Sequence, residues 1–333
     1  MGTDLLHVIE AAQALDGHAD EWLQTLTQTI GELLDDGHGA YGHFVDASDP
    51  ERLRLGRIFQ YKGAAVHVRV LESTNAALPA DIVERTYRAP VAICSASERV
   101  GVKRWTALTS GHAISSVRDF ACVLALDARG IGCAVGAPLD HVKRFSPKAK
   151  RAWARVTAHV VAMQRLRARL AASAGSAAVR DGEAVLSPDA RVEHAEGLAK
   201  EPSARALLRE AAIARERARV GKRRRETDDA LEMWQALVAG RWSIVDRFDH
   251  DGRRFLVAHE NEPQAIGPRK LTVRERQVAM LAAMGHSNKL IAYELGLGAG
   301  SVAGYLRAAM RKLGLSSRID VARVLRGAWM SDV

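Results

Sequence analysis

The stretch that most limits what this chain can fold into is its C-terminal segment, residues 271–329. Short helical stripes, caps and glycine stops follow one another there, with no strand pattern between them. Thr272-Val273-Arg274-Glu275 has the form of a capping box, in which the Thr hydroxyl takes a first-turn amide and Glu275 reaches back to the Thr amide. Val278, Leu281 and Ala282 continue as a helical stripe until Gly285 offers a stop. Ser287 caps a second helix over 288–295, with Leu290, Ile291 and Leu295 inward. Gly296, Gly298 and Gly300 form a turn in which positive φ costs little. A third helix follows from about 301 to 313, carrying Val302, Leu306 and Met310 inward and Arg307, Arg311 and Lys312 outward. Gly314 ends it, and Ser317 caps a fourth helix over 318–329.

Two short helices on a tight glycine turn satisfy the geometry of a helix-turn-helix, whose second helix lies in the major groove. The charge agrees: Arg269, Lys270, Arg274, Arg276, Lys289, Arg307, Arg311, Lys312, Arg318, Arg323 and Arg326 outnumber Glu275, Glu294, Asp320 and Asp332. Such an excess favours phosphate through counterion release. On spacing alone, a small helical bundle with solvated charges stands beside that reading. The string LTVRERQVAMLAAMGHSNKLIAYELGLGAGSVAGYLRAAMRKLGLSSR separates the two. Its LT-x-RE start, G-x-SNK-x-IA centre and RKLG-x-x-SR end resemble the DNA-binding domain of the LuxR (GerE-like) family of bacterial transcription regulators.

The resemblance implies a DNA-binding set of Arg274, Ser287, Asn288, Lys289, Ser301, Ala303, Gly304, Tyr305, Arg307, Arg311 and Lys312. Lys289 stands at a phosphate-contact position, with Asn288 in the cap that places it. Ser301 replaces the usual Thr and keeps a hydroxyl. Ala303 and Gly304 stand where relatives often carry a Lys and a variable base-reading residue, and Tyr305 replaces the usual His. Losing that Lys removes a charge that anchors phosphate, so no target sequence carries over from relatives. The fourth helix commonly makes the dimer contact in this family. Val321, Val324 and Leu325 supply an apolar face for it, although the same face also suits closure of the core.

A chain of 333 residues is long for one domain, and two or three are expected. Hydrophobic residues at 47% and charged ones at 26% leave room for sizeable cores. A net charge of +9 favours a polyanionic partner. No apolar run approaches the roughly 18 residues of a bilayer span. The acidic start MGTDLLHVIEAAQALDG lacks the basic region of a signal peptide. Cys94, Cys122 and Cys133 form neither a zinc spacing nor an even disulfide set, so a reducing cytoplasm is expected.

In chain order, helices are expected over 4–16 and 20–35. Strands follow at 40–45, 57–59 and 66–70, the last from the period-two pattern of Val66-His67-Val68-Arg69-Val70. A short helix at 80–87, a strand at 91–94 and a looser stretch over 95–116 come next. Phe120–Leu126 reads as a central strand joined by an Asp127–Gly130 turn to Ile131–Ala137. Ser146-Pro147 then opens a long helix with Trp153, Val156, Val160, Met163, Leu166 and Leu170 on one stripe. This order resembles a GAF-like sensory domain over 1–172, an antiparallel sheet with a long exit helix. The helix stripe suits either a dimer partner or its own sheet.

Residues 173–178 read as a linker. Strands around Ser187-Pro188-Asp189, helices at about 203–218 and 227–239, and a hairpin at 241–258 resemble a small PAS-like α+β domain over 180–262, or a spacer without a pocket. The helix-turn-helix domain occupies 268–333. The basic run Lys222-Arg223-Arg224-Arg225 reads as a solvated end or as extra phosphate contact. Together these give a multidomain α+β protein.

No enzyme signature is present, the histidines lack metal-ligand spacing, and no cofactor is implied. Asp35-Asp36 reads as a helix end and not as a phosphate-receiver pocket, while Tyr41 and His43 either line a ligand pocket or are plain surface. The expected protein is a cytoplasmic, homodimeric, sequence-specific regulator of double-stranded DNA, modulated by its N-terminal domains through an unidentified small-molecule or protein effector. RNA polymerase is a further partner open to such a regulator. Rival readings are a scaffold whose helical C-terminus binds a partner protein, and an enzyme using Cys94 or a histidine.

Overall fold

The computed structural model describes residues 4–328, apart from 16, 49–51, 77, 89–90, 111–116, 128–129, 173–181, 221–226, 239–240, 249–250, 262–270, 314 and 316. The chain divides into two compact units, Met1–Val161 and Ala162–Val333.

In the first unit, α1 (Leu5–Ala12) and α2 (Ala19–Leu34) bury Leu6, Val8, Ile9, Leu23, Leu26 and Ile30. His18 caps α2: its ring accepts the Asp20 amide at 3.3 Å, and Glu21 accepts the His18 amide at 3.2 Å. A histidine thus does the work of the usual hydroxyl. The strands are β1 (Ala40–Asp46), β2 (Arg54–Leu55), β3 (Phe59–Tyr61), β4 (Ile93–Ser95), β5 (Asp119–Leu126) and β6 (Ile131–Leu139). All pair antiparallel in the order β2-β1-β6-β5-β4, with β3 also on β1. The expected β5–β6 hairpin lies inside the sheet, in register from Asp119↔Leu139 to Leu126↔Gly132. The α2 helix packs on β1 closely enough that a Cβ at Gly42 would stand 2.0 Å from Thr27 Oγ1. The opposite face buries Val45, Val83, Tyr87, Cys94, Leu124, Leu126 and Ala134. Cys94 and Cys122 are free thiols opposite one another across β4 and β5. Burial pushes the Cys94 thiol up to about 11 and Cys133 up to about 12, which suppresses thiolate at neutral pH.

Three expectations for this unit change. Val66–Val70 is not a strand: it lies within helix α3 (Ala65–Ala76). The helix buries His67 and Thr74, and the Tyr41 hydroxyl lies 2.8 Å from His67 Nδ1. A tertiary anchor of this kind overrides the β preference of the valines. The strand expected at 57–59 is displaced to Phe59–Tyr61. The stretch over 95–116 holds two short helices, α5 (Ala96–Val100) and α6 (Val102–Thr109), the first capped by Ser95, whose Oγ accepts the Glu98 amide. Between them and α3 lie α4 (Ala80–Val83) and a π-turn over Glu84–Arg88, near the expected 80–87 helix. Asp35 caps the end of α2, accepting the amides of Gly37 at 2.8 Å and Gly39 at 2.7 Å.

Helix α7 (Pro147–Ala172) straddles the division between the units, with Trp153, Val156, Val160, Met163 and Leu166 of its stripe buried. In the second unit, β7 (Ala184–Leu186), β8 (Val192–Ala195), β9 (Trp242–Phe248) and β10 (Arg254–Glu260) form a sheet in the order β8-β7-β10-β9. Helices α8 (Pro202–Arg219) and α9 (Thr227–Met233) connect its halves. The α9 helix ends at Met233, short of the expected 239. Trp234 follows, with the Arg215 and Arg219 guanidinium carbons 5.1 Å and 4.9 Å from its ring.

Arg215 is buried, donating to the Ile244 carbonyl at 3.0 Å and to Asp246 at 2.8 Å. Burial pulls its pKa down to about 9 against the pull of Asp246. Arg219, Arg254 and Glu216 complete this ion-pair network. The linker at 173–178, the basic run Lys222–Arg225 and Gly314 lie outside the described residues. The C-terminal helices are α10 (Val273–Ala283), α11 (Asn288–Leu295), α12 (Ala299–Leu313) and α13 (Arg318–Ala328). Among the described residues, no helix is long and apolar enough to cross a membrane.

Candidate nucleic-acid interface

Three of the C-terminal helices, α10, α11 and α13, begin at a side-chain cap. Thr272 Oγ1 accepts the Glu275 amide at 3.3 Å while Glu275 Oε2 accepts the Thr272 amide at 2.7 Å. Ser287 Oγ accepts the Leu290 amide at 3.3 Å. At α13, Ser317 Oγ accepts the Asp320 amide at 3.1 Å and Asp320 Oδ2 accepts the Ser317 amide at 3.0 Å. Gly296 closes α11 in the left-handed conformation, φ 62° and ψ 39°. Gly298 and Gly300, expected to share this role, are not among the positive-φ glycines, and Gly300 already belongs to α12. The turn is therefore shorter than the glycine spacing suggests. The Leu297 amide donates to the Ala292 carbonyl at 2.9 Å and finishes it.

Two apolar clusters hold these helices together. One joins Val278, Ala282, Ile291, Leu295, Val302 and Leu306. The other joins Leu271, Ala279, Ala283, Ala309, Val321 and Leu325. Val321 and Leu325 thus close the core and do not form a free apolar face. Among the described residues of α13, Ile319 is an exposed large hydrophobic, at 72%.

The helical period then sets what α12 shows to solvent. Ser301, Gly304, Arg307 and Arg311 lie on the side away from Val302, Leu306 and Ala309. Ser301, Arg307 and Arg311 are exposed, and a Cβ at Gly304 would meet nothing within 4 Å. Lys289 is exposed near the start of α11. Ala303 and Tyr305 flank the exposed side, and Tyr305 packs against the first cluster. Of the residues selected from the sequence, Ser301, Gly304, Arg307 and Arg311 share one side of α12 and Lys289 is exposed on α11, while three others are engaged within the domain. Lys312 is held by Glu275 at 2.7 Å. Asn288 accepts from Arg318 Nη1 at 2.9 Å, and Arg318 also donates to the His286 carbonyl, tying the start of α11 to α13. Arg274 is half-buried and donates to Gln277 at 3.0 Å. Burial lowers its pKa first, the like charge of Arg241 adds to that, and Tyr305 opposes both.

Two supporting ion pairs are not legible in the sequence, Lys312 with Glu275 and His286 with Glu294. Lys312 holds the Glu275 carboxyl below its ordinary range, and the Thr272 amide reinforces it against burial. His286 Nδ1 lies 2.7 Å from Glu294. Burial lowers the His286 pKa, but the Glu294 carboxylate outweighs burial and leaves it raised. Neither pairing has a local sequence signal beyond its charge types.

Among the described residues one group brings three possible metal ligands within reach of one another, the exposed Asp36, Asp140 and His141. The ring of His141 pairs with Asp140 at 2.7 Å and Asp36 at 3.4 Å. Ion pairing alone accounts for the group.

A capped helix pair on a three-residue turn, with a basic exposed side on its second helix, defines a helix-turn-helix module. Residues 269–325 match the family described as bacterial regulatory proteins, luxR family. They are a LuxR-family helix-turn-helix domain. That family is one of DNA-binding transcription regulators and not of enzymes. A similar curated protein is the HTH-type transcriptional activator RamA of Corynebacterium glutamicum, 44% identical over 57 residues. The matched segment spans 17% of this chain and 20% of that relative.

Proposed function

We propose that this chain is a sequence-specific transcription regulator of double-stranded DNA, acting as a homodimer in the cytoplasm. The observation that carries the reading is the exposed side of α12, where Ser301, Gly304, Arg307 and Arg311 stand clear of the core. Arg307 and Arg311 supply guanidinium donors for base edges or phosphates, and Ser301 supplies a hydroxyl at the start of the helix. Lys289 and Arg274 serve as phosphate contacts, and Lys312 has a structural role through Glu275. The exposed Ile319 on α13 marks a face for a second copy.

The upstream regions are read as sensory: a GAF-like domain over 1–172 and a small PAS-like domain over 180–262, ahead of the DNA-binding domain over 268–333. Supporting this are the antiparallel orders β2-β1-β6-β5-β4 and β8-β7-β10-β9 and the long exit helix α7. An effector acts by binding one dimer arrangement better than another. Genome-wide occupancy of the intact protein tests the reading. Sharp sites sharing a two-fold motif are expected, and no enriched site under any growth condition would overturn it.

A further inference from the structure

The LuxR-type domain of this chain is not isolated from the segment before it. Leu237 packs against the cluster formed by Val278, Ala282, Ile291, Leu295, Val302 and Leu306, as does Tyr305 of α12. Next to Leu237, Val238 forms an isolated antiparallel bridge with Trp242. Val238 donates to the Trp242 carbonyl at 2.7 Å, and the Arg241 amide donates to the Val238 carbonyl at 2.9 Å. The Arg241 carbonyl also accepts the Asn261 amide at 2.6 Å, so the backbone of Arg241 is held through both its amide and its carbonyl.

Arg241 is exposed, and its charge is among those that Arg274 senses. Among the described residues no carboxylate pairs with either arginine. Arg274 donates to Gln277, and the Arg241 guanidinium lies 5.9 Å from the Trp242 ring centroid. Two guanidinium groups brought toward each other without an acid repel, unless an anion joins them. The network around Arg215 answers the same problem with Asp246 and Glu216. Here, among the described residues, no acid is supplied, and Tyr305 of α12 packs on the same cluster as Leu237.

We propose that Arg241 belongs to the nucleic-acid interface: the bridge between Val238 and Trp242 holds it, close in sequence to the seated Leu237, at the edge of the helix-turn-helix, where it and Arg274 take the phosphate backbone of bound DNA. The inference rests on the DNA-binding reading above and extends it to a residue outside the family domain. Arg241 then contributes affinity without base preference, because a phosphate contact positions and does not specify. It also couples the preceding region to DNA, since displacing Leu237 from its seat withdraws the charge.

The test is fluorescence anisotropy of the full-length chain on a labelled duplex of arbitrary sequence, over a series of salt concentrations. Arg241→Gln is expected to weaken binding several-fold and to lower the slope of log affinity against log salt by about one. Arg241→Lys is expected to restore that slope, which a purely structural role would not require. An unchanged slope in Arg241→Gln, with wild-type binding intact, would overturn the assignment alone. Tighter binding by Arg241→Gln would also overturn it, because Arg241 would then cover the DNA face. No salt-dependent binding by the wild-type chain would overturn this inference and the DNA-binding reading together.

Discussion

Lys312 Nζ lies 2.7 Å from Glu275 Oε2, joining the last turn of α12 to the capping box of α10 across 37 residues. One carboxylate therefore caps one helix and fixes the end of another. The angle at which α12 is presented depends on a group that belongs to neither the turn nor the exposed side.

Glu275→Ala removes the reciprocal cap and leaves Lys312 without its partner. A loss of about 1–2 kcal/mol is expected, most of it from the cap. Lys312→Met, which spares the cap, is expected to cost ~0.5 kcal/mol, because the lysine end of the pair reaches solvent and the Thr272 amide still holds Glu275. Urea unfolding of both variants checks this, and equal losses would mean that the ion pair, not the cap, dominates. Because the folded state depresses the Glu275 pKa, this stabilisation is present above the unfolded carboxyl value and is lost as pH falls through the folded one.

His286 behaves in the opposite sense. Its pKa is raised in the folded state by Glu294, so its contribution is complete below the unfolded histidine value, ~6.5. It is lost as pH rises through the folded value. Stability of the C-terminal helices is expected to decline on going from mildly acid to mildly alkaline conditions, and His286→Gln should flatten that decline. Thermal unfolding at several pH values decides it, and an unchanged profile in the variant would exclude the pair as the cause.

Arg307→Ala is expected to weaken binding to a cognate site by about 1–3 kcal/mol and to relax base preference, if the guanidinium reaches a base edge. Lys289→Ala should weaken cognate and random duplexes alike and reduce the salt slope by about one. Competition binding separates the two. Equal losses on both duplexes for Arg307→Ala would move that residue to the phosphate contacts.

Gly304→Ala should stabilise the domain by up to ~1 kcal/mol, since the new methyl meets nothing and helical glycine is entropically costly. A loss of stability would show that the helix is strained at this point. The same variant places a methyl on the proposed DNA face, so altered base preference at constant fold is the accompanying outcome.

Arg215→Ala should cost about 1–3 kcal/mol, because it takes a buried donor from the Ile244 carbonyl and opens space beside Trp234, while Arg219 and Arg254 still hold Asp246. Denaturant unfolding measures it. A cost below about 1 kcal/mol would mean that Arg219 and Arg254 hold Asp246 well enough alone and that water replaces the donor to Ile244.

The amino-acid sequence by itself determined the C-terminal domain closely. Thr272, Ser287, Ser317 and Gly296 act through bonds spanning a few residues, and such local chemistry is written in order along the chain. It likewise determined the β5–β6 hairpin, whose apolar run and turn are contiguous. What only the tertiary structure decided depends on partners distant in sequence. Val66–Val70 became helix because His67 meets Tyr41. Val321 and Leu325 went inward because α10 lies over them, which left Ile319 outside. Lys312 was drawn to Glu275, and Leu237 to the core of the helix-turn-helix. In each case periodicity identified the face of an element, but the choice between solvent, core and a second copy rested on which surface the rest of the chain brought against it.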